Sequence, residues 1–279
     1  MNYVNKNIIQ AIDSILIDKS KVSLKDLSEN IKELKSNYLN KKKYFYILSG
    51  FKSDQNFINK TKLLANGFGK VVLQNRKKQK YVHVTPNINS IKSLNRLQKN
   101  KYLRYHETNA GGDLHSDGPQ LNTPPRYVFL ACIRNSAQGG DNIIVDCNKI
   151  YSDLKKKEKN VFDILNSNYL IERRGFNYSN HNIFSKPIFS YKDNELLFRY
   201  LRTYIEEAYK IKKSSLPDYK KNALDVLDTY LSKKKYQSRF KLNPGEILII
   251  NNSLLAHGRT SFTINNNSVQ RDYLRIWIK

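Results

Sequence analysis

The sequence predicts an α+β protein built on a β-sandwich or jelly roll with helices inserted between its strands. Three observations support this. Short apolar runs rich in β-branched and aromatic residues recur along the chain, bounded by Gly, Asn and Pro. Amphipathic helical stretches occupy the N-terminus and the region around 148–235. No internal repeat and no Pro/Gly/Ser linker divides the 279 residues, so 1–279 reads as one domain, with a helical segment at 1–42 and the sheet-bearing core at 43–279.

In order along the chain, 5–18 and 24–39 have helical periodicity, and Ser23 is placed to cap the second helix, with Asp26 and Glu29 near its positive end. "KYFYILSGF" (43–51) reads as a strand that stops at Gly50. "GKVVLQN" and "KYVHVTP" read as two strands joined by the basic turn 76–80, and 89–101 reads as helical or irregular. "PRYVFLACIRN" is a strongly apolar strand, and "GGDNIIVD" starts another after a Gly-Gly turn. Within the insertion, "YSDLKKKEKNVFDILN", "TYIEEAYKIKK" and "DYKKNALDVLDTYLSKK" are helical, whereas "KPIFS" and "NELLFRY" are strand-like. "GEILIINN", "AHGRTSF" and "QRDYLRIWI" supply three final strands.

Composition narrows the class. Hydrophobic residues make up 39% of the chain, including 19 Tyr and 12 Phe, which fits a globular protein and not a disordered one. No apolar run approaches the roughly 20 residues needed to span a bilayer. The segment "MNYVNKNIIQAIDSILIDKS" has the pattern of an amphipathic helix and lacks a cleavage site, so a cytoplasmic location is expected. Cys132 and Cys147 lie in apolar, strand-like runs without CxxC spacing, which fits buried thiols and not a disulfide framework. The net charge of +25 favours an anionic partner. Its lysine runs (41–43, 76–80, 155–159, 233–235) are scattered and lack interleaved aromatic residues, a pattern of solvated faces more than of a nucleic-acid groove.

The chemistry centres on "HSD" at 115–117. In an extended segment residues i and i+2 point the same way, so His115 and Asp117 reach one metal ion together. An imidazole and a carboxylate form two corners of the facial triad that holds non-haem Fe(II) and leaves positions open for oxygen and a co-substrate. His257, just after the apolar run "EILIINNSLLA", is the best third corner; His83, His106 and His181 compete with it. In "QRDYLRIWIK" read as a strand, Arg271, Tyr273, Arg275 and Trp277 share one face and Leu274, Ile276 and Ile278 the other. The aliphatic face suits a core. Two guanidiniums on the opposite face suit a cavity that takes acidic ligands, although an exposed edge strand would show the same pattern.

Together these blocks resemble the taurine dioxygenase/clavaminate synthase-like (TauD/TfdA) family of Fe(II)- and 2-oxoglutarate-dependent oxygenases. The resemblance covers roughly 44–279 and rests on the order of "GF" (50–51), "HSD", "PRYVFLACIRN" running into "GGD", "NPGEILIINNSLLAHGR" and "RDYLR". It implies a double-stranded β-helix, a jelly roll with helical insertions. It further implies His115, Asp117 and His257 as iron ligands, Arg271 as the clamp on the distal carboxylate of 2-oxoglutarate, and Arg275 on an anionic group of the substrate. O2 is the third reactant, and hydroxylation of an unactivated C–H bond the default outcome. The fourteen-residue step from His257 to Arg271 resembles the clavaminate synthase and amino-acid hydroxylase branch. Two departures stand out: Asn142 follows Gly-Gly-Asp where the family often has a threonine that helps hold 2-oxoglutarate, and Asp117 stands where that branch often has Glu. The carboxylate itself argues against the halogenating relatives, which carry a small residue there.

The expected partner is a small molecule bearing a carboxylate or other anionic group. The alternative is a basic nucleic-acid-associated protein, or an oxygenase acting on nucleic acid; it draws on the net charge but on no recognised binding motif. A zinc hydrolase also uses two His and one Asp, but has no use for an arginine clamp.

Overall fold

Alternation of side chains along the strands decides how this chain layers itself, because a strand with two apolar faces must be covered on both. The computed structural model describes residues 3–18, 21–41, 43–75, 77–87, 108–174, 182–192, 195–264 and 270–279. The elements are α1 (Tyr3–Asp18), α2 (Lys21–Leu34) running into a π turn (Lys35–Leu39), β1 (Phe45–Leu48), α3 (Phe57–Phe68), β2 (Tyr81–Val84), β3 (Tyr127–Arg134), β4 (Asn142–Asp146), α4 (Cys147–Lys157), α5 (Lys159–Leu165), β5 (Asn168–Glu172), β6 (Ile183–Pro187), β7 (Phe189–Lys192), β8 (Glu195–Phe198), α6 (Arg202–Ile211), α7 (Asp218–Ser232), a short 3₁₀ turn (Lys234–Tyr236), β9 (Gln237–Phe240), β10 (Ile247–Asn251), β11 (Leu255–Arg259) and β12 (Asp272–Ile278).

The strands make a five-stranded antiparallel sheet in the order β1-β10-β3-β12-β2 and a three-stranded sheet in the order β11-β4-β9, with β5–β6 and β7–β8 as separate pairs. One face of the large sheet, with Phe129, Ala131, Ile247, Ile249, Leu274, Ile276 and Ile278, packs under α1–α3 through Ile12, Leu34 and Leu64. Its other face, through Val128, Cys132, Leu248, Tyr273 and Trp277, meets Ile144 and Leu255 of the small sheet. The small sheet turns Ile143, Val145 and Ala256 outward onto the insertion, where Phe162, Phe198, Leu224 and Leu227 cover them. Helices, large sheet, small sheet and insertion are thus stacked in that order, and each fully buried Leu, Ile or Phe contributes roughly 1.5–3 kcal/mol.

The strand-face reading of the C-terminus holds: β12 lies inside the large sheet between β3 and β2, not at an edge. Several local expectations do not. The second helix starts at Lys21, so Ser23 lies inside its first turn instead of capping it. "GKVVLQN" makes a single bridge, Val71 to Ile278, and leaves Leu73 exposed, because β2 already occupies that edge of β12. Cys147 opens helix α4, whose N-cap is Asp146, with its carboxylate accepting from Lys149 N at 2.9 Å; both cysteines are nevertheless buried and free. The helix expected across 151–166 breaks at Glu158, where φ is −135°. Helix α3 and strands β5 and β9 have no counterpart in the sequence reading. The stretch 89–101 lies outside the described residues. Two lysine runs that are distant in sequence meet at Asp153, which Lys157 and Lys235 approach at 3.6 and 3.2 Å.

Candidate metal centre

Backbone pairing brings the site together. His115 and His257 form an isolated antiparallel bridge, with His115 N donating to His257 O at 3.0 Å and His257 N to His115 O at 2.8 Å. β11 pairs with β4 so that His257 lies opposite Ile144 and Arg259 opposite Asn142, which puts all four side chains on the inner face. The chain before His115 lies along β11: Gly112 N donates to Arg259 O, while the Arg259 guanidinium donates to Ala110 O and Thr108 O, both at 2.6 Å.

His115, Asp117 and His257 converge, with one potential ligand atom from each lying within 4.8 Å of the others. His115 Nε2 stands 3.9 Å from Asp117 Oδ1, and His257 Nε2 3.7 Å from Oδ2. Asp117 and His257 are 4% and 7% exposed, so water screens them little. His115 Nδ1 sits 2.8 Å from Asp113 O, an arrangement that holds the proton on Nδ1 and turns Nε2 toward the other two ligands. Of the competing histidines, His83 is engaged elsewhere, its Nδ1 2.8 Å from Asp272 Oδ1. His106 and His181 lie outside the described residues.

Asp117 is closely restrained. Burial alone would raise its pKa, but Arg275, the two imidazoles and the Trp277 N–H outweigh that effect and hold the carboxyl below its ordinary value. Trp277 Nε1 donates to Oδ2 at 2.8 Å and Arg275 Nη1 to Oδ1 at 3.2 Å. The backbone of Asp117 is fixed by Asn252, whose amide accepts from Asp117 N at 2.8 Å and donates to Asp117 O and Pro125 O. Arg275 is set in turn by Gln74, which accepts from its Nε at 2.8 Å and donates to its carbonyl at 2.7 Å. His257 is pushed down to about 3, mainly by burial and also by neighbouring His115, so its ring is neutral near pH 7 and keeps a lone pair to offer. Two imidazoles and one carboxylate suit a divalent transition metal.

Beyond the metal ligands lies a second cluster. Arg271, 4% exposed, has its guanidinium 3.7 Å from the centroid of the Tyr273 ring and 5.7 Å from that of Phe262. Arg271 Nε, Asn142 Nδ2 and Tyr273 OH are all buried without a hydrogen-bond partner among the described residues. Cys132 and Asn142 border the Tyr273 hydroxyl, yet neither reaches it at hydrogen-bonding geometry. Gly139 and Gly140, at φ +69° and +75°, shape one wall; a Cβ on Gly140 would strike Ser136 Oγ and press on Arg271 Nε. Three buried donors of this kind fit a carboxylate ligand.

Of the six residues singled out in the sequence, His115, Asp117 and His257 converge, Arg275 reaches Asp117, and Arg271 and Asn142 lie beside Tyr273. Arg275, expected at an anionic group of the substrate, has its guanidinium on Asp117 and Gln74. Gln74, Asn252, Arg259 and the Trp277 N–H were not foreseen: alternation placed Trp277 on this face, but no pattern marks which group an indole will reach. The Gly-rich stretch 110–113 adjoins the metal ligands through the contacts above, and in 173–190, described except for 175–181, Arg173 donates to Asn122 Oδ1 at 3.0 Å.

Comparison with known proteins adds a lineage. Residues 12–277 match the family described as taurine catabolism dioxygenase TauD, TfdA family. Gamma-butyrobetaine dioxygenase of Homo sapiens is 28% identical over 152 residues, which are 53% of this chain and 39% of that protein. Uridine-5'-phosphate dioxygenase of Amycolatopsis sp is 28% identical over 157 residues, 56% of each chain. The matches thus span about half or less of these relatives. Among solved structures, asparagine oxygenase in complex with Fe(II), 2S,3S-3-hydroxyasparagine and succinate superposes with a TM-score of 0.71 at 13% identity, covering 100% of this chain and 92% of that one. The non-heme iron oxygenase OrfP in complex with Fe and alpha-ketoglutaric acid gives 0.67 at 13% identity, covering 100% and 92%. At these identities the structural matches speak for the fold. Among the described residues no helix is long and apolar enough to cross a membrane.

Proposed function

Because this chain belongs to the TauD, TfdA dioxygenase family, we propose that it is a non-haem Fe(II)- and 2-oxoglutarate-dependent oxygenase that hydroxylates a small, anionic or amino-acid-like substrate. The observation that carries this is the convergence of His115, Asp117 and His257 beside a buried guanidinium whose Nε has no partner. In this proposal 1–279 is one double-stranded β-helix domain with N-terminal helices and an insertion, and its buried free thiols suit the reducing cytoplasm.

Fe(II) would be held by the two imidazoles and Asp117, and 2-oxoglutarate by Arg271 with Asn142 and Tyr273. When bound, iron, 2-oxoglutarate and O2 together supply oxidation of an unactivated C–H bond with release of succinate and CO2. The chain's own work is placement. Asp113 O keeps the His115 tautomer that presents Nε2, Asn252 fixes the backbone of Asp117, and Arg271 fixes the far end of the co-substrate. Asp117 and His257 are themselves buried, which keeps bulk water from their ligand atoms. Arg275 meets the anionic group of the substrate on the Asp117 side. The named relatives and fold neighbours act on gamma-butyrobetaine, uridine-5'-phosphate and asparagine, all of which carry an anionic group at neutral pH.

The test is anaerobic loading with Fe(II) and 2-oxoglutarate, followed by O2 and a panel of small carboxylates and phosphates, read as succinate release. Substrate-dependent succinate is expected, and His115→Ala removes it. Steep, salt-sensitive binding of DNA or RNA with no succinate from any substrate would favour the nucleic-acid alternative.

A further inference from the structure

Asp117 has more donors than a metal ligand alone requires, and the donors differ in kind. Trp277 offers a neutral N–H to Oδ2 at 2.8 Å; Arg275 offers a full positive charge to Oδ1 at 3.2 Å. An indole N–H only donates, so its orientation admits one reading, and it holds a carboxylate without opposing a cation. A guanidinium beside the same carboxylate competes with a divalent ion for it. Gln74, 2% exposed, grips Arg275 at Nε and at its carbonyl and also donates to Lys80 O, so the arginine is aimed rather than loosely parked.

Resting on the oxygenase reading above, we propose that Trp277 is the positioning residue of the metal-binding carboxylate, whereas Arg275 competes with the ion for the charge of that carboxylate. Trp277 holds Asp117 in one rotamer throughout. Arg275 offers its charge at Oδ1, where a divalent cation would compete with it.

The two donors therefore have opposite effects on cation affinity, which a merely structural role would not produce. Co(II) titration of the apo-protein, followed by visible absorbance, compares the wild type with His115→Ala, Trp277→Phe and Arg275→Gln. Trp277→Phe keeps a ring and removes the donor; a roughly 10-fold or greater loss of Co(II) affinity is expected, in the range seen when outer partners of metal ligands are removed. Arg275→Gln keeps a donor and removes the charge, and is expected to bind Co(II) as tightly as the wild type or more so. Co(II) affinity within twofold of wild type in a folded Trp277→Phe protein overturns the role of Trp277, and weaker binding by Arg275→Gln overturns that of Arg275. Failure of the wild type itself to bind Co(II) overturns both this proposal and the oxygenase reading, whereas loss in His115→Ala alone leaves the reading standing. Should Trp277→Phe not fold, the wild type still answers. Trp277 is the only tryptophan of the chain, so ¹⁵N-indole labelling gives one N–H resonance. Slow hydrogen exchange and a shift on Zn(II) addition are expected; unprotected exchange with no shift overturns the assignment.

Discussion

The metal-ligand cluster and the Arg271 cluster differ in how far their polar groups are paired. At the metal end both oxygens of Asp117 have donors and its backbone N–H and C=O are both bonded to Asn252. At the other end Arg271, Asn142 and Tyr273 each keep a buried polar atom without a partner. The contrast is one of degree, because His257 Nδ1 at the first end is also buried without a partner among the described residues. A buried donor without an acceptor is worth roughly 1–3 kcal/mol, and the second group holds three such atoms. Truncating Asp117 and truncating Tyr273 should therefore move stability in opposite directions.

The largest effect is expected from Asp117→Ala. It removes succinate formation altogether and also destabilises the apo-protein by about 3 kcal/mol, because Arg275, whose side chain is 13% exposed, loses its carboxylate. Urea unfolding of the apo-protein checks the second part, and unchanged stability would break the contrast. Next comes Arg271→Ala, for which the 2-oxoglutarate KM read from succinate release should rise roughly 10- to 150-fold, the worth of a charge-assisted hydrogen bond of about 1.5–3 kcal/mol. An unchanged KM would remove Arg271 from the co-substrate.

Acid should act on the metal end. His257 is held at about 3 in the folded state against an unfolded value near 6.5, so between those pH values the unfolded chain binds more protons and stability falls as pH falls. Asp117, also held low, works in the same direction below the usual carboxylate range. A loss on the order of 2 kcal/mol between pH 6.5 and 4.5 is expected from urea midpoints of the apo-protein, and His257→Gln should flatten that slope. The smallest change is the most diagnostic. Tyr273→Phe deletes an orphan hydroxyl and is expected to stabilise the empty protein by up to ~1 kcal/mol while raising the 2-oxoglutarate KM a few-fold. A fall in melting temperature would show that the hydroxyl is satisfied after all.

The same contrast explains what could be read without coordinates. Strand alternation places Arg271, Tyr273, Arg275 and Trp277 on one face, and the HxD spacing pairs His115 with Asp117, because both follow from the two-residue period of extended chain. The side-chain partners do not follow. Arg275 has its guanidinium on Asp117, a contact that no spacing announces, and Asn252, in a run of Asn-Asn-Ser that resembles any turn, clamps a residue 135 positions away. Local chemistry misleads elsewhere as well. Ser23 is a good N-cap type inside a helix that starts earlier, and Cys147, in an apolar run, opens a helix because Asp146 caps it. Helix α3 passed unnoticed although Phe57, Thr61, Leu64, Ala65 and Phe68 repeat at helical spacing.

The backbone bridge between His115 and His257 has a consequence for biogenesis. A pocket whose walls come from such distant parts of one polypeptide cannot exist in a nascent or half-collapsed chain, so the ion is captured only after the sheets have closed. Occupancy then favours the finished fold by mass action. Cells starved of iron should accumulate less of this protein through faster turnover of the empty form, with no change in its synthesis.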